Sequence, residues 1–267
     1  MSNDQRIPND RLALAMSDPT QRFSNRVENY LRYRPRYPAE ILDVLKAECG
    51  LQVTSLIADV GSGTGFLAEL FLSNGNQVFG IEPNREMREA GEQLLGSYSK
   101  FTSVAATAEA TTLPEASVDF VTAGQAFHWF DRGRCREEFR RILRPASWVV
   151  LVWNDRRTDS TRFLAEYEQL LRVYGTDYAS VDHKRIDASV LREFFGEDPI
   201  RKSFPSFQGF DFPSLKRRLL SSSYVPDVGQ PRHAQMMETL QTLFDKRQAG
   251  GNVIFEYDTL LYYSRLS

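Results

Sequence analysis

The sequence predicts an α/β protein built on one mostly parallel sheet with helices on both faces. Short apolar segments, each of strand length, alternate with amphipathic helical segments from residue 56 to residue 154. Such alternation is typical of a parallel sheet whose crossover connections are helices. A glycine-rich turn directly after the first apolar segment marks the edge of the sheet at which ligands bind.

The individual elements follow from the spacing of their apolar residues. A first helix is predicted after residue 20, and Pro38 suits the first turn of a second one. Asn84 is a candidate N-cap, and Pro145 ends the helix before it. The predicted core strands are 56–60, 77–82, 101–107, 118–124 and 148–154, and the predicted helices between them are 66–75, 84–95 and 135–143.

The pattern changes after residue 155. Residues 160–195 predict helices rich in aromatic side chains, and residues 200–210 predict a strand with a bulge or bend at Pro205. Residues 233–251 predict a helix that ends at two glycines, and residues 252–266 are long, aromatic and β-prone. An insertion after the fifth strand is therefore expected to cover the ligand-binding edge of the sheet.

Composition narrows the class of protein. The chain of 267 residues is 42% hydrophobic, which suits a sizeable core, and its net charge of −2 predicts no attraction to nucleic acid or acidic membranes. Cys49 and Cys135 are far apart and have no neighbouring histidine, so we expect neither a disulfide scaffold nor a metal site. The sequence shows no secretory signal and no membrane-spanning run, and we expect a cytoplasmic protein.

The stretch LIADVGSGTGFLAELF, residues 56–71, predicts a nucleoside-binding loop. Its glycines let the chain turn tightly and let a ligand lie against the backbone. Glu82 follows Gly61 by 21 residues, which places a carboxylate where it accepts hydrogen bonds from ribose hydroxyls. A carboxylate repels a 2′-phosphate, so NAD and S-adenosylmethionine remain as candidate cofactors. The spacing is G-x-G-x-G, whereas dinucleotide-binding folds usually show G-x-G-x-x-G.

With these motifs the sequence resembles the class I S-adenosylmethionine-dependent methyltransferases. The resemblance rests on five segments, which are DVGSGTG (59–65), IEPNREM (81–87), ATAEATTLPEASVDFV (106–121), AGQAFHWFD (123–131) and EEFRRILRPASWVVLVWN (137–154). Together with NYLRYRPRYP (29–38), the fourth segment resembles the type 11 domain and the trans-aconitate methyltransferase-like small-molecule group. The resemblance is strong over residues 20–154 and weaker beyond them.

The resemblance implies a Rossmann-like sheet of seven strands with an antiparallel last strand, plus a helical lid after strand five. It implies one methyltransferase domain over residues 1–267, whose parts are N-terminal cap helices (20–50), a cofactor-binding core (51–155), an inserted lid on the acceptor side (156–225) and a closing helix and strand (226–267).

The resemblance also implies S-adenosylmethionine as the cofactor and S-adenosylhomocysteine as its product. It places the methionine end and ribose edge at the glycine loop, the ribose hydroxyls at Glu82 and the adenine beside the segments that follow. The implied cofactor residues are Tyr30, Arg34, Asp59, Gly61, Ser62, Gly63, Glu82, Pro83, Met87, Ala108, Glu109 and Gln125.

The implied acceptor is a small molecule, methylated at a carboxylate or hydroxyl oxygen by in-line displacement. His128 is the candidate base, because imidazole titrates near neutral pH, and a structural role or the simple orientation of neighbouring side chains are the alternatives. Trp129 and Tyr224 are candidate acceptor contacts. His183 and His233 have no motif around them and are expected to be surface or packing residues.

Two other functions stay open at the level of sequence. An NAD-dependent oxidoreductase would bind NAD, although it lacks the usual glycine spacing. A non-catalytic module would bind S-adenosylmethionine without turnover, because methyl transfer needs few dedicated side chains. The sequence does not predict the oligomeric state or the identity of the acceptor.

Overall fold

The computed structural model describes residues 32–176, 178, 186–222 and 224–266. The first predicted helix up to residue 31, together with Tyr30 and His183, lies outside the described residues. Seven strands form one sheet in the order β3-β2-β1-β4-β5-β7-β6. The strands are β1 Leu56–Val60, β2 Gln77–Ile81, β3 Phe101–Val104, β4 Val118–Gly124, β5 Leu143–Arg156, β6 Ile200–Phe210 and β7 Val253–Ser264.

Helices cover both faces of this sheet. A short 3₁₀ segment, Phe127–Trp129, follows β4. The α-helices of the described chain are α1 Glu40–Cys49, α2 Phe66–Ser73, α3 Arg85–Leu95, α4 Arg132–Ile142, α5 Arg162–Tyr174, α6 Ala188–Phe195, α7 Phe212–Leu220 and α8 His233–Arg247.

Strand β7 is the antiparallel member of the sheet. The pairs β1·β2, β1·β4, β2·β3 and β4·β5 are parallel, whereas β7 runs antiparallel to both β5 and β6. The predicted seven-stranded, mostly parallel sheet with an antiparallel last strand is therefore confirmed. The helices α5 and α6 lie between β5 and β6 in the chain, as the predicted helical insertion requires.

Alternate residues of the central strands bury into opposite faces, which is why the sheet needs helices on both sides. Val149 and Leu151 of β5 pack with α4 and α6, whereas Val150 and Val152 pack with α1 and α2. A third cluster joins α5, α7 and α8 to the ends of β6 and β7 around Phe255. This third cluster lies beyond the central strands and forms one wall of the site described below.

Several boundaries differ from the sequence prediction. The helix predicted over residues 66–75 ends at Ser73, and the helix predicted over residues 233–251 ends at Arg247, before the two glycines that were expected to stop it. The predicted strand 101–107 ends at Val104, and the predicted helix 135–143 begins at Arg132 because Asp131 caps it by accepting a hydrogen bond from Arg134 N (3.1 Å). The predicted strand 148–154 is longer, because β5 begins directly after that helix, at Leu143.

Residues 156–225, expected as a lid, include a strand of the main sheet. Strand β6 pairs with β7 in continuous register from Ile200 opposite Tyr263 to Phe210 opposite Val253, without a register shift at Pro205. Pro205 is tolerated because β6 is an edge strand, where one side of the backbone needs no ladder partner. Of the helices that flank β6, α7 contributes Arg218 to the wall of the site, whereas α6 packs against α4 and β5.

Candidate cofactor and acceptor site

One cavity of about 350 Å³ opens at the carboxyl ends of β1, β2, β4 and β5. Ligands bind at this edge in open α/β sheets, since the strand order reverses there between β1 and β4. Every predicted site residue within the described chain lines this cavity. These residues are Arg34, Asp59, Gly61, Ser62, Gly63, Glu82, Pro83, Met87, Ala108, Glu109, Gln125, His128, Trp129 and Tyr224.

The glycine loop leaves β1 in a conformation that requires glycine. Gly61, Gly63 and Gly65 have φ angles of +65°, +56° and +88°, a region that side chains disfavour. A Cβ at Gly61 would lie 2.6 Å from the Cβ of Ala126. The loop therefore presents bare backbone to the cavity, as the sequence predicted.

Glu82 ties the glycine loop to the end of β2. Its Oε2 accepts a hydrogen bond from Gly63 N (2.8 Å), and its Oε1 accepts one from Asn84 N (2.8 Å). The residue is buried at 8% exposure, and this burial raises the pKa of its carboxyl, while the two backbone donors oppose the shift. Each oxygen keeps an unused lone pair, so the carboxylate has the acceptor capacity for two ribose hydroxyls.

Asp59 lies beneath the loop and is completely buried. Its Oδ1 accepts a hydrogen bond from Thr122 Oγ1 (2.8 Å), but its Oδ2 has no hydrogen-bond partner among the described residues. Burial raises the pKa of Asp59 to about 7. An unsatisfied buried carboxylate oxygen beside a cavity suits a cationic ligand group, such as an ammonium.

The residues predicted to flank adenine lie around the start of α3. Asn84 caps this helix by accepting a hydrogen bond from Met87 N (2.8 Å), which fixes Pro83 and Met87 beside the glycine loop. Ala108 is buried, and Glu109 Oε1 accepts a hydrogen bond from Asp131 N (2.9 Å). These side chains form a partly apolar slot next to Glu82, which fits an aromatic base.

Gln125 lines the cavity directly after the carboxyl end of β4. It has a φ of +57°, and its Nε2 donates to the backbone oxygen of Asn154 (3.0 Å). A non-glycine residue in this region is uncommon and marks a constrained position. His128 and Trp129 follow it, with ring centroids 4.8 Å apart.

Arg34 and Tyr224 line the cavity from the segment before α1 and from the segment after α7. Arg34 donates to Ser221 Oγ (3.2 Å) and Ser221 O (3.1 Å), which joins the N-terminal segment to the end of α7. The rings of Tyr224 and Tyr178 lie 4.9 Å apart. The sequence motif SSSYVP therefore contributes Ser221, which holds the N-terminal segment through Arg34, and Tyr224, which lines the cavity.

The structure adds site residues that the sequence reading missed. Asn154 is the last residue of the predicted strand 148–154, and a polar side chain at the carboxyl end of a parallel strand is itself a signal of a site. The signal for Arg218 is its position on an otherwise apolar face of α7. The added lining residues include Tyr37, Asn154, Arg156, Tyr178, Arg218 and Tyr257.

Two classes of feature are absent from the part of the chain that the structure describes. No group of three or more histidine, cysteine, aspartate or glutamate side chains there is arranged to hold a metal ion. None of the helices in that part combines the length and the apolar character that crossing a bilayer requires.

The strand order, the glycine loop and the acidic residue after β2 together define a class I methyltransferase fold. A family model described as a methyltransferase domain matches residues 58–151, which span the loop, Glu82 and β5. The chain thus carries a methyltransferase domain of the S-adenosylmethionine-dependent class. The trans-aconitate methyltransferase-like group stays a prediction.

Relatives and solved structures agree with this class. An uncharacterized methyltransferase of Schizosaccharomyces pombe is 27% identical over 251 residues, which cover 91% of this chain and 96% of the relative. One from Mycobacterium tuberculosis is 35% identical over 139 residues, so the match spans about half (54%) of that relative and 52% of this chain.

Among solved structures, a candidate type II methyltransferase from Anaeromyxobacter dehalogenans is similar in fold, with a TM-score of 0.63 and 20% identity over 88% of this chain and 98% of that one. The YcgJ protein from Bacillus subtilis is also similar, with a TM-score of 0.54 and 18% identity over 86% of this chain and 99% of that one. At these identities the likeness concerns the fold.

Proposed function

We propose that this chain transfers a methyl group from S-adenosylmethionine to an oxygen atom of a small molecule, either a carboxylate or a hydroxyl. One observation carries the proposal: a single cavity joins the glycine loop and Glu82 to an outer wall of tyrosine and arginine side chains. Its volume of about 350 Å³ is near the lower end of small-molecule pockets. The net charge of −2 gives the chain no general attraction to nucleic acid, which favours a small-molecule acceptor.

The residues present fit the cofactor. The bare backbone at Gly61 and Gly63 leaves room for a ligand, the Glu82 oxygens suit ribose hydroxyls, and Asp59 Oδ2 suits an ammonium group. Methyl transfer from S-adenosylmethionine needs little activation by the protein, because its sulfonium supplies the leaving group. The work left to the protein is to orient the acceptor and exclude water.

Gln125, His128 and Trp129 are the residues that we assign to the middle of the cavity, next to the reacting atoms. The constrained backbone of Gln125 holds this segment, while Trp129 supplies an aromatic surface for the acceptor. A hydroxyl acceptor requires a base, and His128 is the candidate. A carboxylate acceptor is already nucleophilic and requires none.

The proposal is tested by titrating the purified protein calorimetrically with S-adenosylhomocysteine and, separately, with NAD. We expect S-adenosylhomocysteine alone to bind, and we expect methyl transfer to members of a panel of small acids and phenols, followed by mass spectrometry. Binding of NAD, or of neither ligand, would contradict the proposal. Cofactor binding without turnover on any acceptor would favour a non-catalytic module.

Replacing His128 by asparagine distinguishes the two kinds of acceptor. With a hydroxyl acceptor we expect kcat to fall by roughly 10²–10⁴-fold, because general base catalysis contributes that much. With a carboxylate acceptor we expect a loss below about tenfold and no change in the shape of the pH–rate profile. A large loss of kcat on a carboxylate acceptor would instead indicate that His128 positions its neighbours.

A further inference from the structure

Arg218 is a buried cation on the wall of the cavity. It lies on α7, is 5% exposed, and lines the same cavity as the glycine loop. Its guanidinium lies 5.7 Å from the centre of the Phe255 ring, and the side chains of Tyr167, Tyr224 and Tyr257 surround it. A charge in such surroundings has lost most of its hydration.

Few hydrogen bonds within the protein replace the lost hydration of the Arg218 guanidinium. The hydrogen bond that the guanidinium makes to Ser222 Oγ is long, at 3.5 Å. Its Nε is buried and has no hydrogen-bond partner, and no carboxylate of the described chain lies within ion-pair distance of it. A buried charge without a partner costs several kcal/mol, and such groups are commonly found where a ligand supplies the partner.

The neighbouring buried arginine is, by contrast, already paired. Arg156 contacts Glu168 Oε2 at 2.6 Å, and both side chains are 11% exposed. Tyr178 Oη donates to the same carboxylate oxygen (2.8 Å), and Arg172 contacts Oε1 (3.1 Å). Of these two buried arginines on the cavity wall, Arg218 is therefore the one whose charge no carboxylate of the described residues compensates.

We infer that Arg218 binds a carboxylate group of the methyl acceptor. The inference rests on the proposed methyl transfer and narrows its substrate class to organic acids. A guanidinium offers parallel N–H groups that match the two oxygens of a carboxylate. A single uncompensated charge matches one carboxylate better than a doubly charged phosphate. The buried Tyr257 hydroxyl beside it is a further donor for the same group.

The test compares Arg218→Met with Arg217→Met, a matched control one residue away on the same helix. Arg217 is exposed and donates to Tyr33 Oη (3.3 Å), outside the cavity lining. Each protein, saturated with S-adenosylhomocysteine, is titrated with benzoate, succinate, citrate, their amides, and phenyl phosphate. S-adenosylhomocysteine affinity and the melting temperature of the ligand-free protein are measured in parallel.

We expect at least one carboxylate to bind the wild-type protein more tightly than its amide or phenyl phosphate. Arg218→Met should weaken that binding by about 100-fold or more, while S-adenosylhomocysteine affinity stays within about threefold and the melting temperature stays equal or rises. The rise has a physical cause, because methionine removes a buried unpaired charge in a similar volume. Arg217→Met should leave all three quantities unchanged.

Three outcomes would overturn the inference. The first is that no acid of the panel binds better than its amide, and the second is that phenyl phosphate binds best. The third is that Arg218→Met lowers the melting temperature and S-adenosylhomocysteine affinity together, which would make Arg218 a structural residue. Failure of wild-type protein to bind S-adenosylhomocysteine would instead refute the proposed function itself.

Discussion

Replacement of Glu82 by alanine is expected to weaken S-adenosylhomocysteine binding by about 100-fold or more. The carboxylate is buried and fixed by Gly63 N and Asn84 N, so it meets a ribose without reorganising. A hydrogen bond to a charged group contributes roughly 1.5–3 kcal/mol, and two of them account for the expected loss. Calorimetric titration of the variant measures it directly.

The control for this experiment is Glu86→Ala, since Glu86 is an exposed carboxylate only four residues away, in the first turn of α3. It should bind S-adenosylhomocysteine as the wild-type protein does. Glu82→Gln keeps the shape but replaces one acceptor oxygen by a donor, so we expect an intermediate loss. Unchanged affinity in a folded Glu82→Ala protein would show that the nucleoside lies elsewhere.

The conformation of the glycine loop and the place of Glu82 beside it were predictable because their signals are local in the sequence. The glycine loop and Glu82 are read from spacing alone, and parallel strands bring their carboxyl ends to one edge. Asn84 followed equally from a local rule, since it caps α3 as predicted. The glycine loop, Glu82 and the Asn84 cap depend on residue types at short sequence spacings, and such spacings can be recognised without a structure.

The acceptor side was less predictable because its residues meet only through the tertiary fold. Strand β6 was expected within a lid, yet it is part of the sheet, because it finds its partner in β7 more than forty residues later. Tyr37, Asn154 and Tyr257 come from three distant segments and carry no shared motif. Only the path of the chain brings them to one cavity.

Arg218 was the missed residue for which a signal existed. In FPSLKRRLL, Leu215, Arg218 and Leu219 have the i, i+3, i+4 spacing of one helical face, and all three are buried. Arg217 occupies the exposed side of the same turn. A charged residue at an apolar position of a helix is therefore worth examining as a ligand contact before a structure is known.

The second large effect concerns Asp59 and the pH dependence of stability. Burial, and to a lesser degree the charge of Glu82, raises the pKa of Asp59 to about 7, while the hydrogen bond from Thr122 opposes the shift. The unfolded chain releases this proton near pH 4, so the folded state holds more protons between about pH 4 and 7. Asp59 therefore lowers stability progressively as pH rises through this window, and its effect is constant above it.

Replacing Asp59 by asparagine should remove this dependence. Urea denaturation at pH 5, 6, 7 and 8 should show wild-type stability falling relative to Asp59→Asn up to about pH 7. Asp43→Asn is the matched control, because Asp43 is exposed on α1 and should track the wild-type protein. Parallel pH profiles for wild type and Asp59→Asn would contradict the elevated pKa.

The ionisation of Asp59 should also affect ligand binding, but in the opposite direction: affinity should rise with pH, whereas stability falls. If Asp59 Oδ2 pairs with the ammonium of S-adenosylhomocysteine, binding favours the ionised carboxylate and releases a proton below about pH 7. The affinity of the wild-type protein should then rise by up to about tenfold per pH unit towards pH 7 and level off above it. Asp59→Asn should bind more weakly and lose most of this slope, leaving only the contribution of Glu82, whose pKa is also raised. The charge of Asp59 would thus lower the stability of the free protein and also bind the cofactor's ammonium group. Equal slopes of affinity against pH in the wild-type and Asp59→Asn proteins would show that Asp59 does not pair with that ammonium.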